Sequence, residues 1–284
     1  MRARRRRQLT LSATGRDGDW TSFGPVVAAW TLGIDDNEPL QSVTDHELGT
    51  LLFPARDSVM APAIAATGIW EPLEGRWLER NLRPGHTFLN VGANIGYHVV
   101  RASRLVGPGG TVIAVEPDPV NFAFLLANLA LHDIHNVVPI RCAAGSEAAT
   151  MRLHRGDDNS GDNRLTPFQE SSSSVKVRVV RMDQLLAGQR IDVALVDTQG
   201  WDHEVVAGMS GLFASGLVPM IVEFVPSWLR ERGIDPVKVV TDFQNLGYRV
   251  GVLEASLSPG ASAYEAVAAS DNADRYYANL ELQP

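Results

Sequence analysis

Residues 87–98 read T-F-L-N-V-G-A-N-I-G-Y-H. Thr87, Phe88, Leu89 and Val91 form a short apolar run of the kind that makes a buried parallel strand. Gly92-Ala93-Asn94-Ile95-Gly96 then turns the chain. Val99, Val100, Ala102 and Leu105 space out the apolar face of a helix ending near Gly107. Strand, glycine turn and helix in that order can present bare backbone N–H groups at a helix start to a polar ligand.

The turn alone is a weak signal, because Gly92 and Gly96 do not complete the G-x-G-x-x-G spacing of a dinucleotide site. Its continuation strengthens it. Residues 111–115 are a second apolar run, and they end in Glu116-Pro117. A carboxylate at the tip of the second strand, about 20 residues past the glycine turn, is placed to accept hydrogen bonds from a ribose diol.

Outward from this pair, the chain alternates strands and helices. A helix is expected over 73–82, closed by Arg83-Pro84-Gly85 just before the first strand. Pro119 fits the first turn of a helix whose apolar positions Phe122, Leu125, Leu126, Leu129 and Ala130 carry it to about His132. Further strands are expected at 137–142, 150–154, 175–180, 191–196, 217–225, 248–253 and 276–282, with a helix over 235–245. This alternation predicts an α/β fold, a mostly parallel sheet with helices on both faces. The polar stretch 155–174 holds Asp157, Asp158, Asn159, Asp162 and Asn163, but not in EF-hand spacing, and reads as a loop.

The N-terminal part is harder to read. Val26 to Trp30 fits one strand, and a helix is expected to begin near 45–52, capped by Thr44 or Asp45. Two parts are therefore expected: a tail and small appendage over 1–69, which could cover the active site, and a main domain over 70–284. Arg2, Arg4, Arg5, Arg6 and Arg7 make a basic start, but residues 8–19 are polar where an export signal needs an apolar stretch, so a tail and a cytoplasmic location are expected.

Composition narrows the function classes. Hydrophobic residues at 45% and charged ones at 20% describe an ordinary soluble globule. A net charge of −8 argues against a general nucleic-acid binder. No apolar run approaches the roughly 18 residues of a membrane span. Cys142 is the only cysteine, so no internal disulfide can form, and its apolar surroundings predict a buried, unreactive thiol.

Four motifs in order, N-V-G-A-N-I-G-Y at 90–97, V-E-P-D-P-V-N-F at 115–122, V-D-T-Q-G-W-D at 196–202 and I-V-E-F at 221–224, preceded by W-E-P at 70–72, resemble the S-adenosylmethionine-dependent methyltransferases of the FkbM type. The resemblance covers about residues 70–282. It implies a Rossmann-like class I methyltransferase fold of seven strands, the last antiparallel. It implies that Gly92, Ala93, Asn94 and Gly96 pass under the methionine part of the cofactor and that Glu116 takes the ribose hydroxyls. Cys142 and Ala143 would flank the adenine, with Tyr97, Pro117 and Asn121 completing the cofactor site, and Asp197 would lie near the sulfonium and the acceptor. The chain carries Asn90 where the family usually has Asp, so an anionic partner for the cofactor's ammonium is lost there, and Glu71 is the candidate to replace it.

The implied activity is O-methylation of a hydroxyl on a small specialised metabolite: a polyketide, a sugar or a glycosylated product. An alcohol must lose a proton to become a nucleophile, and Asp197, His203 and Glu223 are the candidates near the strand tips, with His203 as a possible general base. His98 reads as a helix residue packed near the cofactor, and Trp201 and Trp228 as walls of the acceptor pocket. One Mg²⁺ shared by Asp197, Asp202 and Glu223 is a variant that the spacing does not predict. Two rivals share part of the pattern: an NAD(P)-dependent Rossmann oxidoreductase, which would need G-x-G spacing and a substrate domain, and a non-catalytic methyltransferase-like binding module, which Asn90 keeps open.

Overall fold

A computed structural model describes residues 39–156, 159–166, 174–213, 216–253 and 277–284. The basic start, the strand expected at Val26 to Trp30, and Asp157, Asp158 and Tyr276 lie outside the described residues.

The first described elements are β1 (Leu40–Asp45) and β2 (Gly49–Pro54), an antiparallel hairpin, followed by α1 (Met60–Thr67). The helix expected near 45–52 is therefore a turn and a strand. Asp45 does cap, but it caps the hairpin turn: its Oδ1 accepts from the N–H groups of Glu47 (2.7 Å) and Leu48 (2.8 Å). A carboxylate bonded to its own backbone two or three residues on looks alike in sequence whether a turn or a helix follows. What decides is burial. Leu51 and Phe53 are fully buried against the main body, and the Leu52 backbone exchanges two hydrogen bonds with the side chain of Asn128 (2.8 and 3.0 Å).

Next come α2 (Pro72–Asn81), β3 (Thr87–Val91), α3 (Tyr97–Val106), β4 (Thr111–Val115), α4 (Pro119–Leu131) and β5 (Val137–Ile140). The Asp118 side chain caps α4, accepting from the N–H groups of Val120 and Asn121, with Pro119 in the first turn. A second, four-stranded sheet follows, in the order β6-β9-β7-β8: β6 (Ala143–Ala144), β7 (Ala149–His154), β8 (Arg164–Thr166) and β9 (Ser174–Val180). The stretch read as a loop thus contains β8 and is partly a strap. After α5 (Met182–Leu185) the chain returns to the main sheet with β10 (Val193–Val196), α6 (Asp202–Ala207), β11 (Met220–Phe224), α7 (Pro226–Glu231), α8 (Pro236–Asn245), β12 (Arg249–Val252) and β13 (Ala278–Gln283).

The main sheet runs β12-β13-β11-β10-β3-β4-β5. β3, β4, β5, β10 and β11 are parallel, while β13 is antiparallel to both of its neighbours. This is the seven-stranded arrangement that the resemblance implies. The central strands are apolar on both faces because helices cover both sides of the sheet: every residue of β10 is buried, and all of β3 after Thr87. β13 instead alternates. Ala278, Leu280 and Leu282 are fully buried, while on the other face Glu281 accepts from Trp77 Nε1 (2.7 Å) and Asn279 donates to Glu74 (2.6 Å). Those two bonds explain why α2 buries a tryptophan and a glutamate together.

The order 5-4-3-10 means that the chain reverses its direction of travel across the sheet between β3 and β10. A crevice opens at such a point beyond the carboxyl ends of the strands. The candidate site is there.

Candidate active site

At the end of β3 the chain turns under the tip of β4. The N–H groups of Gly92 and Ala93 both donate to Val115 O (2.9 Å each), and Asp197 N donates to Val91 O (2.9 Å). Gly92 has φ +89°. A Cβ there would lie 1.7 Å from the carbonyl oxygen of Asp197, so glycine is required both for the turn and for the approach of β10. Asn94 has φ +48° and donates its N–H to Glu116 Oε2 (2.8 Å), while Asp118 N donates to Glu116 Oε1 (2.8 Å). Two backbone donors thus fix the Glu116 carboxylate at the strand tip. Burial foremost, and then the charge of Asp118, push its pKa up to about 8, against the lowering effect of the two N–H groups.

Above this turn lies a cavity of about 720 Å³. Asn90, Gly92, Ala93, Asn94 and Tyr97 line it, as do Glu116, Pro117, Asn121, Cys142 and Ala143. Glu71, Asp197, Glu223 and Trp228 line it as well. Fourteen positions spread over residues 71–228 therefore meet in one cavity. The Cys142 thiol is buried and its pKa is pushed up to about 11 by that burial, as expected of an unreactive thiol.

Three expected residues are not among the lining residues. Gly96 starts α3 with φ +93°, and a Cβ there would meet Leu125 Cδ1 at 2.6 Å, so it serves packing against α4. Trp201 turns into the core and lies under the Arg232 guanidinium, 4.2 Å from its ring. His203 sits on α6 beside Glu204, 3.4 Å away, and borders a separate crevice of about 10 Å³. Gln199 at φ +54° and Gly200 at φ +86° make the turn that carries residues 201–203 away from the cavity.

The carboxylates form a connected group. Gln199 Nε2 donates to Asp197 Oδ1 (2.7 Å) and to Glu223 Oε1 (3.1 Å). Glu223 Oε2 is buried and meets no donor among the described residues. Glu71, with φ +46° at the start of α2, is held by His98 Nε2 at 2.6 Å. Asn90 is only 1% exposed, and its Oδ1 meets no donor among the described residues. Burial first, and then the charges of Glu71 and Asp202, raise the Asp197 pKa; burial and then Asp197 raise that of Glu223. Asp202 is turned into its own loop, accepting from Thr198 N (2.6 Å), Thr198 Oγ1 (2.8 Å) and Gly200 N (3.0 Å). The metal variant thus loses one of its three ligands, and the described residues contain no group of three such side chains arranged to hold a metal ion.

The roof of the cavity was not legible as such. Ser160 is fully buried, donates N–H and Oγ to Asp57 Oδ2 (3.2 and 2.5 Å), and accepts from Asn121 Nδ2 (2.7 Å). These bonds hold residues 159–165 over the cavity. Arg164 lies over the Trp228 ring, 3.6 Å from its centroid, and donates to Asp162 (2.6 Å). Nothing in a polar, low-complexity stretch marks which serine will be buried. Gln199 carries no signal of its own either, except its place between two acids.

No helix among the described residues is long and apolar enough to cross a membrane. Residues 90–250 match the family profile described as Methyltransferase FkbM domain. The 31-O-demethyl-FK506 methyltransferase FkbM of Streptomyces tacrolimicus is 46% identical over a match covering 45% of this chain and 61% of that protein. Methyltransferase sdnD of Sordaria araneosa is 26% identical, covering 45% of this chain and 62% of that one. The chain thus spans less than two thirds of the length of these curated relatives. Among solved structures, methyltransferase FkbM from Methylobacillus flagellatus gives a TM-score of 0.43 at 12% identity, covering 74% of this chain and 50% of that one. Aeropyrum pernix fibrillarin in complex with S-adenosyl-L-methionine gives 0.44 at 15% identity, covering 75% and 74%. The profile spans more than half of the 284 residues and begins at Asn90, on the strand that carries the glycine turn; the chain belongs to the FkbM family of S-adenosylmethionine-dependent methyltransferases.

Proposed function

We propose that the protein transfers a methyl group from S-adenosylmethionine to a hydroxyl oxygen of a small specialised metabolite, of the polyketide, sugar or glycosylated class. The observation that carries this reading is the meeting, in one cavity, of the glycine turn, the Glu116 carboxylate and the Asp197–Glu223 pair. The relative named for 31-O-demethyl-FK506 supports the choice of oxygen as acceptor atom and of a small metabolite as substrate.

The residues fit the cofactor. It carries an ammonium, a sulfonium and a ribose diol, all of which seek acceptors, and the cavity offers buried acceptors without donors at Asn90 Oδ1 and Glu223 Oε2. In this reading Glu116 takes the ribose hydroxyls, and Cys142, Ala143, Pro117 and Asn121 surround the adenine. Asn90, Tyr97 and the turn Gly92-Ala93-Asn94 receive the methionine part. Glu71, fixed by His98, supplies the anionic charge that Asn90 lacks.

The bound cofactor supplies a methyl group already activated on sulfur. The protein's own contribution is to hold an acceptor oxygen in line with it, exclude water and accept a proton. Asp197 and Glu223 stand at the tips of β10 and β11 for this, and Trp228, braced by Arg164, forms part of the acceptor wall. The segment before residue 70 is read as a cover, supported by Val59 and Met60 on the cavity.

The test is calorimetric titration with S-adenosylhomocysteine, with NAD and NADP alongside, followed by methyl transfer to a panel of hydroxylated polyketides and glycosides. Binding of the homocysteine compound alone, with a methyl ether as product, is the expected result. Binding of a nicotinamide nucleotide instead would overturn the reading.

A further inference from the structure

Two carboxylates, Asp197 and Glu223, share one neutral partner. Both hydrogens of the Gln199 amide are spent on them, one on Asp197 Oδ1 and one on Glu223 Oε1. His98, which could offer a cation, is engaged with Glu71. Glu223 Oε2 is left buried with no donor among the described residues, on the wall of the cavity. A neutral amide cannot compensate two buried charges, so the pair needs either a proton or a cation.

The two forms of the cofactor differ by that cation. The methyl donor carries a positive sulfur, and the demethylated product does not. We propose that Glu223 receives the acceptor's proton on Oε2, and that its charge state thereby distinguishes methyl donor from product; the proposal rests on the methyl transfer inferred above. Glu223 accepts the proton as the acceptor O–H bond breaks and that oxygen bonds to the methyl carbon, the electrons of the S–C bond remaining on sulfur. The site changes from carboxylate plus cation to carboxylic acid plus neutral sulfur, so its net charge is the same before and after.

Gln199 is the positioning residue. Its left-handed backbone aims the amide between the two acids and leaves Oε2, not Oε1, for the acceptor. The groups facing Glu223 agree with this assignment. Asp197, Asp202 and Glu71 act on it with like charge, which favours its protonated form whenever no cation is present. Across the antiparallel ladder its partner is the neutral Asn279, and His203 borders the small crevice that Glu223 also reaches. Glu231 is a further acid among the residues lining the cavity.

The consequence is measurable without knowing the acceptor. Binding of S-adenosylmethionine releases about one proton more than binding of S-adenosylhomocysteine, and the ratio of their affinities rises by up to about tenfold per pH unit until Glu223 is ionised in both complexes. The experiment is titration calorimetry of the full chain with each compound near pH 7, in phosphate and in Tris, whose different ionisation heats report the proton count. Wild type is expected to show the one-proton difference, and Glu223→Gln to bind both compounds with no difference. Equal proton counts in wild type overturn the proposal while leaving the methyltransferase reading intact. An undiminished difference in Glu223→Gln overturns the assignment to Glu223. Failure of wild type to bind either compound overturns both readings together.

Discussion

Gly92 lies so close beneath Asp197 that a single added carbon would stand 1.7 Å from the Asp197 carbonyl oxygen. The glycine turn and the tip of β10 are therefore one packed unit. The residue that turns the chain under the cavity also sets how near the acidic pair can come. Gly92→Ala combines an unfavourable positive φ with a backbone clash, and is expected to cost about 2–4 kcal/mol of stability. Denaturant unfolding of the variant checks this, and loss of S-adenosylhomocysteine binding is expected with it. A variant as stable as wild type would mean that the two strands are not packed as described.

Glu116→Gln keeps the size of the side chain but leaves one acceptor oxygen where there were two, each of which takes a backbone N–H. A neutral hydrogen bond is worth about 0.5–1.5 kcal/mol, so affinity for S-adenosylhomocysteine is expected to fall about 2- to 10-fold. Calorimetry gives the number directly. Unchanged affinity in a folded variant would remove Glu116 from the ribose.

The pH dependence of the ligand-free protein has a definite sign. Glu116 holds its proton up to about pH 8 in the folded chain, against an ordinary value of 4.5. Its contribution is full below that ordinary value and is lost as pH rises toward 8, and the raised pKa values of Asp197 and Glu223 act the same way. Glu204 opposes them at acid pH. Bonds from His203 and Ser146 hold its pKa down at about 2, so its contribution is present above the ordinary value and lost below it. The melting temperature should therefore fall between about pH 5 and pH 8, by about 2 °C or more for each kcal/mol lost. A scan that rises across this range would contradict the burial of the acids.

His203→Ala should leave cofactor affinity and methyl transfer intact, because the side chain does not reach the main cavity. Loss of its contact with Glu204 should lower stability by no more than about 1 kcal/mol. Turnover abolished in a folded variant would restore His203 as the base.

Asp57→Ala removes the acceptor of two Ser160 hydrogen bonds and of the Ala61 N–H. The stranded donors should cost about 2–4 kcal/mol. Because the strap lines the cavity, affinity for S-adenosylhomocysteine should fall with stability. Retention of full affinity would show that the strap is not part of the cofactor site.

Much of this arrangement is written locally. The runs at 87–91 and 111–115 are apolar without alternation, which only strands covered on both faces require. Asp118 and Asp235 cap their helices where the sequence places a Pro next in line. The placing of Glu116 is local as well: a carboxylate at a strand end about 20 residues past a glycine turn is where a ribose diol would find an acceptor. The helix expected near 45–52 is part of a hairpin instead, because Asp45 makes the same local bond in a turn as at a helix start, and only the burial of Leu51 and Phe53 separates the two.

The candidate site residues divide along the same line. Sequence alone determined the strands at 87–91 and 111–115, the turn between them and the acids at the strand tips, because spacing and residue type act over a few residues at a time. Only the tertiary structure decided which of the candidates meet. The left-handed pair Gln199 and Gly200 swings Trp201 and His203 out of the cavity while leaving Asp197 within it. The same turn sets the Gln199 amide between acids 26 residues apart in the chain, Asp197 and Glu223, whose strands run side by side. Ser160 reaches Asp57 across 103 residues. Such contacts depend on how strands order themselves across a sheet, and that order is set by the burial of whole faces rather than by any residue's neighbours in the chain.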